Sequence, residues 1–267
     1  MQQYQIHPIG YVRCDQRYRY ETPRQGVLAD GSHGIIELEP GKNFEQGLYR
    51  LEGFSHIWVI YGFHLNTNWK PMVQPPRHST EKVGVFATRA PYRPNAIGLS
   101  AVQLERVDGL RLEISDFDML DGSPVFDIKP YLPYCDSFPD AAVGWAQGDF
   151  DDIFEIEFSD KALEQERWLQ ERCGLKLGRY AQVQLQTEPT NGKRKRIAQL
   201  DSSLYELSYR TWRILYRVTG EGKKVIVAEY RSGYTSEELN DPNDPYDDKQ
   251  IHRDYTSAFG ITDNLGS

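Results

Sequence analysis

The chain has 267 residues, of which 39% are hydrophobic and 26% charged, and its formal net charge is −8. This composition is that of an ordinary globular protein with enough apolar residues for one large or two modest domains. The acidic balance argues against a broad, non-specific grip on nucleic acid, which needs many cations, but it leaves room for a local basic patch.

The first half of the chain predicts β-structure. Residues 34–40 alternate apolar and acidic side chains, as a half-buried strand does, and a proline ends them. Residues 56–63 form a continuous apolar and β-branched run, which is typical of a strand buried on both faces. Residues 102–107 and 110–115 flank an Asp-Gly pair and predict a hairpin. Many short strands separated by glycine and proline indicate a barrel or a sandwich.

The character of the chain changes near Pro139, and the small, acidic residues 140–152 predict a domain boundary. Beyond it we expect a short strand at 154–158, a helix from an N-cap at Ser159 to Gly174, and a hairpin of residues 212–218 and 225–229. The predicted fold is mainly β: a β-barrel domain at 1–140 and a small α+β domain at 150–235. Residues 236–267, rich in Asp, Asn and Pro, predict an extended tail.

Two arginines lie in one proline- and glycine-rich loop within residues 83–100, VGVFATRAPYRPNAIGLS. A stiff loop that displays planar guanidinium groups suits a carboxylate or a phosphate. A single arginine would more often pair with a neighbouring carboxylate. Because Arg89 and Arg93 share one rigid loop, we interpret this segment as a binding loop.

Four carboxylates crowd the exit of the strand that ends near residue 115: Asp116, Asp118, Asp121 and Asp127. Such a cluster indicates a metal, a general base, or a receptor for ribose hydroxyls or an ammonium group. Asp121 precedes a glycine, and a simple turn is an equally good interpretation of that pair. Farther along, Lys129 and Tyr131 share one strand face with Asp127 by period two.

Two weaker signals complete the set. Residues 22–25, Thr-Pro-Arg-Gln, offer directional donors on a pre-set backbone, although any surface turn can have this composition. His64 follows the buried strand and could line a pocket, but a lone histidine is more often structural.

Missing motifs exclude several classes of protein. No GxGxxG, Walker or GxSxG motif is present, which argues against dinucleotide, nucleoside triphosphate and serine-hydrolase sites. Cys14, Cys135 and Cys173 are scattered and form no CxxC pair, and the histidines have no metal-ligand spacing. We therefore expect no metal, and a reducing, cytoplasmic compartment. The N-terminus has no apolar core of a signal peptide, and no run approaches the roughly 18 apolar residues of a membrane span.

Taken in order, the motifs resemble the TsaA-like domain family, and within it the bacterial tRNA (adenine-37-N6)-methyltransferases. The resemblance is strong over residues 4–140 and weak over 212–229. It is carried by PRQ at 23–25, FSHIW at 54–58, GVFATR at 84–89, RPN at 93–95, IGLS at 97–100, and DGSP at 121–124 through DIKPY at 127–131.

This resemblance implies a barrel that binds S-adenosyl-L-methionine and a homodimer. It also implies methyl transfer to N6 of N6-threonylcarbamoyladenosine at position 37, in the anticodon loop of a tRNA. The implied cofactor contacts are Pro23, Arg24, Gln25, Phe63, His64, Arg89, Leu99, Ser115, Asp116, Phe117 and Asp118. These residue types suit the cofactor. Arginine can bind its carboxylate, aspartate can bind its ammonium group and ribose hydroxyls, and Phe63 or Leu99 can pack on its adenine.

The implied reaction places demands on the acceptor side of the site. Adenosine N6 is a poor nucleophile, so an acceptor for its N–H is expected; Asp118, Asp121 and Asp127 are candidates that the sequence does not rank. The substrate carboxylate calls for a cation, for which we expect Arg93 or Lys129, with Asn95 and Tyr131 beside them.

The densest basic run, Lys193, Arg194, Lys195 and Arg196, follows an Asn-Gly turn and is expected to project toward tRNA. A solvated turn is the simpler interpretation of such a run. Two rival functions also stay open: a non-catalytic barrel that binds RNA or a nucleotide, and a methyltransferase that acts on another acceptor.

Overall fold

The computed structural model describes residues 4–18, 32–75, 81–146, 153–192, 195–219 and 223–260. The chain divides into two compact units, Met1–Asp149 and Phe150–Ser267. This division lies within the acidic segment at which the sequence predicts a boundary.

The N-terminal unit is built on a closed, six-stranded antiparallel barrel, which confirms the predicted barrel. Around the barrel the strand order is β1-β2-β7-β6-β3-β8, and a separate two-stranded ribbon joins β4 to β5. The strands are β1 (Gly10–Cys14), β2 (His33–Leu38), β3 (His56–Gly62), β4 (Met72–Val73), β5 (Val83–Gly84), β6 (Ile97–Asp108), β7 (Arg111–Ser115) and β8 (Pro124–Pro130). Two short helices, α1 (Phe44–Gly47) and α2 (Pro133–Asp136), and 3-10 turns at Leu51–Gly53, Val85–Ala87 and Gly144–Ala146 complete the unit.

Strand β3 shows how the barrel core forms. Its alternate residues Ile57, Val59 and Tyr61 point inward and are almost fully buried. Trp58 and Ile60 point outward and are only half-buried, so the prediction of a strand buried on both faces is wrong for the outer face. The outer face is covered only in part because a closed barrel needs one buried face per strand.

The predicted hairpin is confirmed as the pair β6 and β7, which turns between Asp108 and Arg111. Strand β6 begins earlier than predicted, at Ile97, because its first half pairs with β3 rather than with β7. Strand β6 therefore pairs with β3 along its first half and with β7 along its second half.

The C-terminal unit is an α+β domain, as predicted. Its sheet has the order β10-β11-β12-β13-β9, in which β9 runs parallel to β13 and the other pairs are antiparallel. The elements are β9 (Glu155–Phe158), α3 (Asp160–Cys173), α4 (Leu177–Leu185), β10 (Ile197–Gln199), β11 (Leu204–Tyr209), β12 (Trp212–Thr219), β13 (Lys224–Ser232), α5 (Ser236–Asn240) and α6 (Lys249–Phe259).

The termini of helix α3 follow the predicted chemistry. The Ser159 side chain accepts a hydrogen bond from the Ala162 amide, and Gly174 ends the helix in the left-handed conformation at φ 69°. Among the described residues, no helix is long and apolar enough to cross a membrane.

The prediction of an extended tail is wrong over residues 236–260, which form α5 and α6. A capping box between Thr235 and Glu238 begins α5. Helix α6 buries Tyr255 and stacks His252 on Trp212, with ring centroids 3.9 Å apart. The acidic residues that suggested disorder act as turn and capping groups, and a few aromatic side chains on one face supply the burial.

Candidate functional site

Most of the described residues that the resemblance assigns to the cofactor lie toward one end of the barrel. Because neighbouring strands are antiparallel, the ends of β1, β3 and β7 meet the beginnings of β2, β6 and β8 there, as the pairs His33–Ser115 and Gly62–Ile97 show. We call this end, with the described parts of loops 15–32, 63–96 and 116–123, the barrel mouth. It collects segments that are far apart in the sequence.

Asp118 is the central carboxylate of the mouth. The Ser100 hydroxyl donates a hydrogen bond of 2.5 Å to Asp118 Oδ1, and the Tyr61 hydroxyl lies close enough to this carboxylate to influence its pKa. Burial raises the pKa of Asp118, although Ser100, the nearby Arg89 charge and Tyr61 each oppose that rise. A half-buried carboxylate with a raised pKa is a candidate for binding a cation or accepting a proton.

The loop after β7 delivers Asp118 to this position. Asp116 adopts the left-handed conformation at φ 55°, and its neighbours Phe117 and Met119 are fully buried in the barrel core. The Phe117 amide donates to Ser32 Oγ at 2.9 Å. The Phe117 side chain therefore anchors the loop, and the prediction that it contacts the cofactor has no support in its position.

The sequence analysis missed Tyr61, which lies in the apolar run 56–63, and Ser100, which ends the IGLS motif at 97–100. The available signal was Gly98, because a glycine within a strand often marks the close approach of another group. A Cβ at position 98 would lie 2.4 Å from the Tyr61 ring. Ser100 is a polar residue at an inward position of the same strand, and the structure explains it through its bond to Asp118.

The two loop arginines have different roles. Arg93 donates from Nη1 to the carbonyls of Val85 and Thr88, at 3.2 and 2.8 Å, and lies over the Phe86 ring. It therefore holds the loop together, and the prediction that it serves as a substrate cation is corrected. Arg89 is exposed and makes no hydrogen bond or ion pair with the described part of the chain, so its guanidinium can meet a ligand.

Phe63 and His64 begin loop 63–96 of the mouth. Phe63 packs its ring edge against Tyr61, with centroids 5.2 Å apart. His64 is exposed, and its Nδ1 lies 3.4 Å from Ser123 Oγ, which joins loop 63–96 to the start of β8. Through these contacts, Phe63 lies against Tyr61 and His64 lies beside the start of β8.

Asp121 is a turn residue. Its carboxylate accepts a hydrogen bond from the Cys14 amide at 3.1 Å, and its own amide donates to the Gln16 carbonyl. Gly122 follows it at φ 75°. The turn interpretation accounts for Asp121, and a catalytic role for it finds no support.

Asp127, Lys129 and Tyr131 are not brought to the mouth. Strand β8 runs away from the mouth, and Asp127 and Lys129 form a salt bridge of 2.7 Å on its outer face. Tyr131 packs on Trp58 beyond the far end of the strand. Their shared face is confirmed. The direction of β8 separates them from Asp118, so the expected roles of Asp127 in catalysis and of Lys129 and Tyr131 in substrate binding find no support at the mouth.

Three further predicted residues lie at the edges of the site. Leu99 points outward beside Ile60 and is 56% exposed, on the opposite side of β6 from Ser100. Ser115 is buried and donates to Glu105 at 2.5 Å. Asn95 is exposed in the turn before β6.

Some predicted residues lie outside the described residues: Pro23, Arg24, Gln25, Lys193 and Arg194. Of the basic run, Lys195 is half-buried and donates to the carbonyls of Gln184 and Thr187 at the end of α4. The expectation that Lys195 projects toward RNA is therefore wrong, because helix C-terminal carbonyls attract a cation. Arg196 is exposed.

The mouth offers groups that fit an amino-acid nucleoside. Gln16 Oε1 and Asn66 Nδ2 are buried and have no partner among the described residues, and both belong to mouth loops. Together with the Arg89 guanidinium and the Asp118 carboxylate, they provide donors and acceptors on the loops of the mouth. In the described part of the chain, no group of three or more metal-ligating side chains is found.

The chain is similar in sequence to known proteins. Residues 11–137 match the family described as the tRNA-methyltransferase O N-terminal domain. The tRNA (adenine(37)-N6)-methyltransferase of Escherichia coli (strain K12) is 33% identical over 238 residues, which cover 86% of this chain and all of that protein. A probable S-adenosyl-L-methionine-binding protein of Pyrococcus abyssi is 42% identical over 140 residues, 52% of this chain and 74% of that protein.

A solved structure extends the likeness to the fold. The crystal structure of TrmO from Pseudomonas aeruginosa superposes with a TM-score of 0.62 and 30% identity, covering 86% of this chain and 99% of that one. Since the full length of the Escherichia coli relative is covered at 33% identity, the chain belongs to the tRNA-methyltransferase O family.

Proposed function

We propose that this protein is an S-adenosyl-L-methionine-dependent methyltransferase that methylates N6 of adenosine 37 in a tRNA. Family membership supports the reaction, and the relatives' names supply the cofactor and the acceptor. The observation that carries the proposal is the placement of Asp118, Ser100, Tyr61 and Arg89 together at the barrel mouth.

Different residues of the mouth are suited to bind different groups of the cofactor. S-adenosyl-L-methionine, when bound, supplies an electrophilic methyl group. Arg89 pairs with a carboxylate through a charge-assisted hydrogen bond, and Gln16 and Asn66 offer a buried acceptor and a buried donor. Phe63 presents a ring face or edge to an adenine. Each role uses a group that its neighbours in the described structure leave available.

Asp118 acts on the acceptor amine. With the cofactor bound, its carboxylate would accept a hydrogen bond from N6–H and direct the nitrogen lone pair at the methyl carbon. It would take the proton as the N–C bond forms and the methyl–sulfur bond breaks, the bonding electrons leaving with sulfur as a neutral thioether. A carboxylate with a raised pKa is a stronger proton acceptor than an ordinary one, and burial gives Asp118 this property. The hydrogen bond from Ser100 holds the carboxylate in place.

The acceptor is proposed to be the N6-threonylcarbamoyl form of adenosine 37. The carbonyl on N6 withdraws electrons and makes its N–H easier to remove, which suits a carboxylate base. Neither Arg93 nor Lys129 is assigned to the substrate carboxylate, because the first holds the loop and the second faces the outer wall. The target base must leave its stack to reach the mouth.

The direct test is transfer of a labelled methyl group from the cofactor to tRNA, followed by nucleoside mass spectrometry. Transcripts with and without threonylcarbamoyl at adenosine 37 form the matched pair of substrates. We expect label at N6 of the modified nucleoside alone. Binding of the cofactor without transfer to either transcript would instead support a non-catalytic barrel.

A homodimer and a cytoplasmic location complete the proposal. The outward-facing Leu99, exposed beside Ile60, supplies an apolar contact for a second copy near the mouth. Light scattering on wild type and Leu99→Asp is expected to show a dimer and a monomer, respectively; equal masses would reject this face. Location follows from the substrate, and fractionation of cells with an antibody to the protein tests it.

A further inference from the structure

The loop between β3 and β6 carries three exposed or half-exposed aromatic rings that the reaction chemistry does not use, Trp69, Phe86 and Tyr92. A fourth ring, that of Trp145 in the turn Gly144–Ala146, contacts this loop. We call these four the aromatic platform. Phe86 is 74% exposed, Trp69 52% and Trp145 40%. Exposing large rings to water is unfavourable, and a cluster of them commonly marks a binding surface.

Hydrogen bonds join the platform into one surface. The Trp145 indole donates to the Ala87 carbonyl at 2.9 Å, which places its ring beside the turn that carries Phe86. The Lys70 amide donates to the Tyr92 carbonyl at 3.0 Å, which places Trp69 next to Tyr92. The Val85 amide donates to the Pro71 carbonyl and connects the two halves.

Cations alternate with these rings. The Arg93 guanidinium lies 5.7 Å from the Phe86 ring centroid, and the Lys70 ammonium lies 4.8 Å from that of Tyr92. The described parts of the loop, residues 63–75 and 81–96, contain four Lys or Arg residues and a single acid, Glu81. In a chain of net charge −8, this is a local basic surface.

The platform is also stiff. Arg93 bonds to two carbonyls across the turn, and β4 pairs with β5 at the base of the loop. Pro91 and Pro94 restrict the backbone on either side of Tyr92 and Arg93. A ligand that stacks here therefore orders little new chain, which keeps the entropy cost of binding low.

We infer that the aromatic platform binds the unpaired bases of an RNA loop next to the base that enters the mouth. Unpaired bases splay outward and stack on aromatic rings and on guanidinium planes, while cations meet the phosphates. The position of the platform agrees with this role. Arg89 follows Phe86 by three residues in the same loop, and it lies close enough to Asp118 for its charge to lower the pKa of that carboxylate. This inference rests on the proposed function and assigns the RNA contact to the platform rather than to the basic run at 193–196.

The test uses the full chain and a short anticodon stem-loop RNA that carries adenosine 37, with affinity measured by fluorescence anisotropy at several salt concentrations. Phe86→Ala and Trp145→Ala should each weaken RNA binding about tenfold, the scale of one lost base stack. The salt dependence should stay unchanged, because no phosphate contact is removed. Affinity for S-adenosyl-L-methionine should also stay unchanged.

Two variants serve as controls. Phe86→Tyr keeps a ring for stacking and should restore wild-type RNA affinity. Tyr49→Ala removes an equally exposed ring, 75% exposed and 5.4 Å from the Arg50 guanidinium, from the loop between β2 and β3 at the opposite end of the barrel. This variant should bind RNA as the wild type does.

If Phe86→Ala and Trp145→Ala bound RNA as tightly as the wild type does, the inference would be overturned. Methyl transfer by the wild-type protein would in that case still support the proposed function. A change of oligomeric mass in Phe86→Ala would also overturn the inference, by showing that a second copy of the chain covers the platform. Failure of the wild type to methylate tRNA, with RNA binding lost in both variants, would reject the proposed reaction alone.

Discussion

Replacing Arg89 with alanine is the sharpest test of the barrel mouth. The guanidinium is exposed and makes no hydrogen bond within the described part of the chain, so its removal should cost the fold little. A hydrogen bond from a charged donor to a ligand carboxylate contributes about 1.5–3 kcal/mol, and solvent screening at an exposed site favours the lower end. We therefore expect S-adenosyl-L-methionine to bind about tenfold more weakly.

Isothermal titration calorimetry with the cofactor measures this change, and the melting temperature checks that the fold is intact. Arg106→Ala is the matched control, because Arg106 is an exposed arginine of the same barrel that pairs with Glu113 away from the mouth. Arg93→Ala should behave differently from both: it should lower the melting temperature, since it removes two hydrogen bonds within the loop. An unchanged dissociation constant in Arg89→Ala would refute the assignment of this arginine to the cofactor.

Three further predictions follow from buried contacts. Ser100→Ala removes a hydrogen bond that lowers the pKa of Asp118, and the pKa of Asp118 should therefore rise further. As the pH is lowered, this variant should lose methyl transfer at a higher pH than the wild type does. Gly98→Ala places a Cβ 2.4 Å from the Tyr61 ring and should destabilise the barrel by about 1–3 kcal/mol, measured by urea denaturation. Burial lowers the pKa of His252 from 6.5 to about 4, so stability is complete above pH 6.5 and should fall by about 3 kcal/mol as the pH drops toward 4.

Each of these predictions has a control. A Ser100→Ala profile that coincides with the wild-type profile would show that this hydroxyl does not act on the titrating group. Gly84→Ala has open space around its Cβ and should retain wild-type stability. For His252, the loss of stability below pH 6.5 should shrink in His252→Gln, and an equal loss in both proteins would assign the effect to other groups.

Local sequence patterns determined much of the fold. Alternating and continuous apolar runs predicted strands β2 and β3, Asp-Gly predicted the hairpin of β6 and β7, and Ser159 and Gly174 predicted the limits of α3. These features depend on neighbouring residues and on backbone preferences, which a sequence displays directly. The tail was mispredicted, because a helix with few but well-placed aromatic residues has the composition of a disordered segment.

The site depended on contacts that the sequence does not display. Ser100 and Asp118 are 18 positions apart, and their 2.5 Å hydrogen bond depends on the register of the β6–β7 hairpin, which shifts at an irregularity between Leu104 and Arg106. Local pattern grouped Asp118 with Asp121 and Asp127 as equals, whereas a turn and an outward strand face separate them. Likewise Arg89 and Arg93 look alike in the loop sequence. Their roles diverge because the fold of the loop places carbonyl acceptors around one guanidinium and solvent around the other.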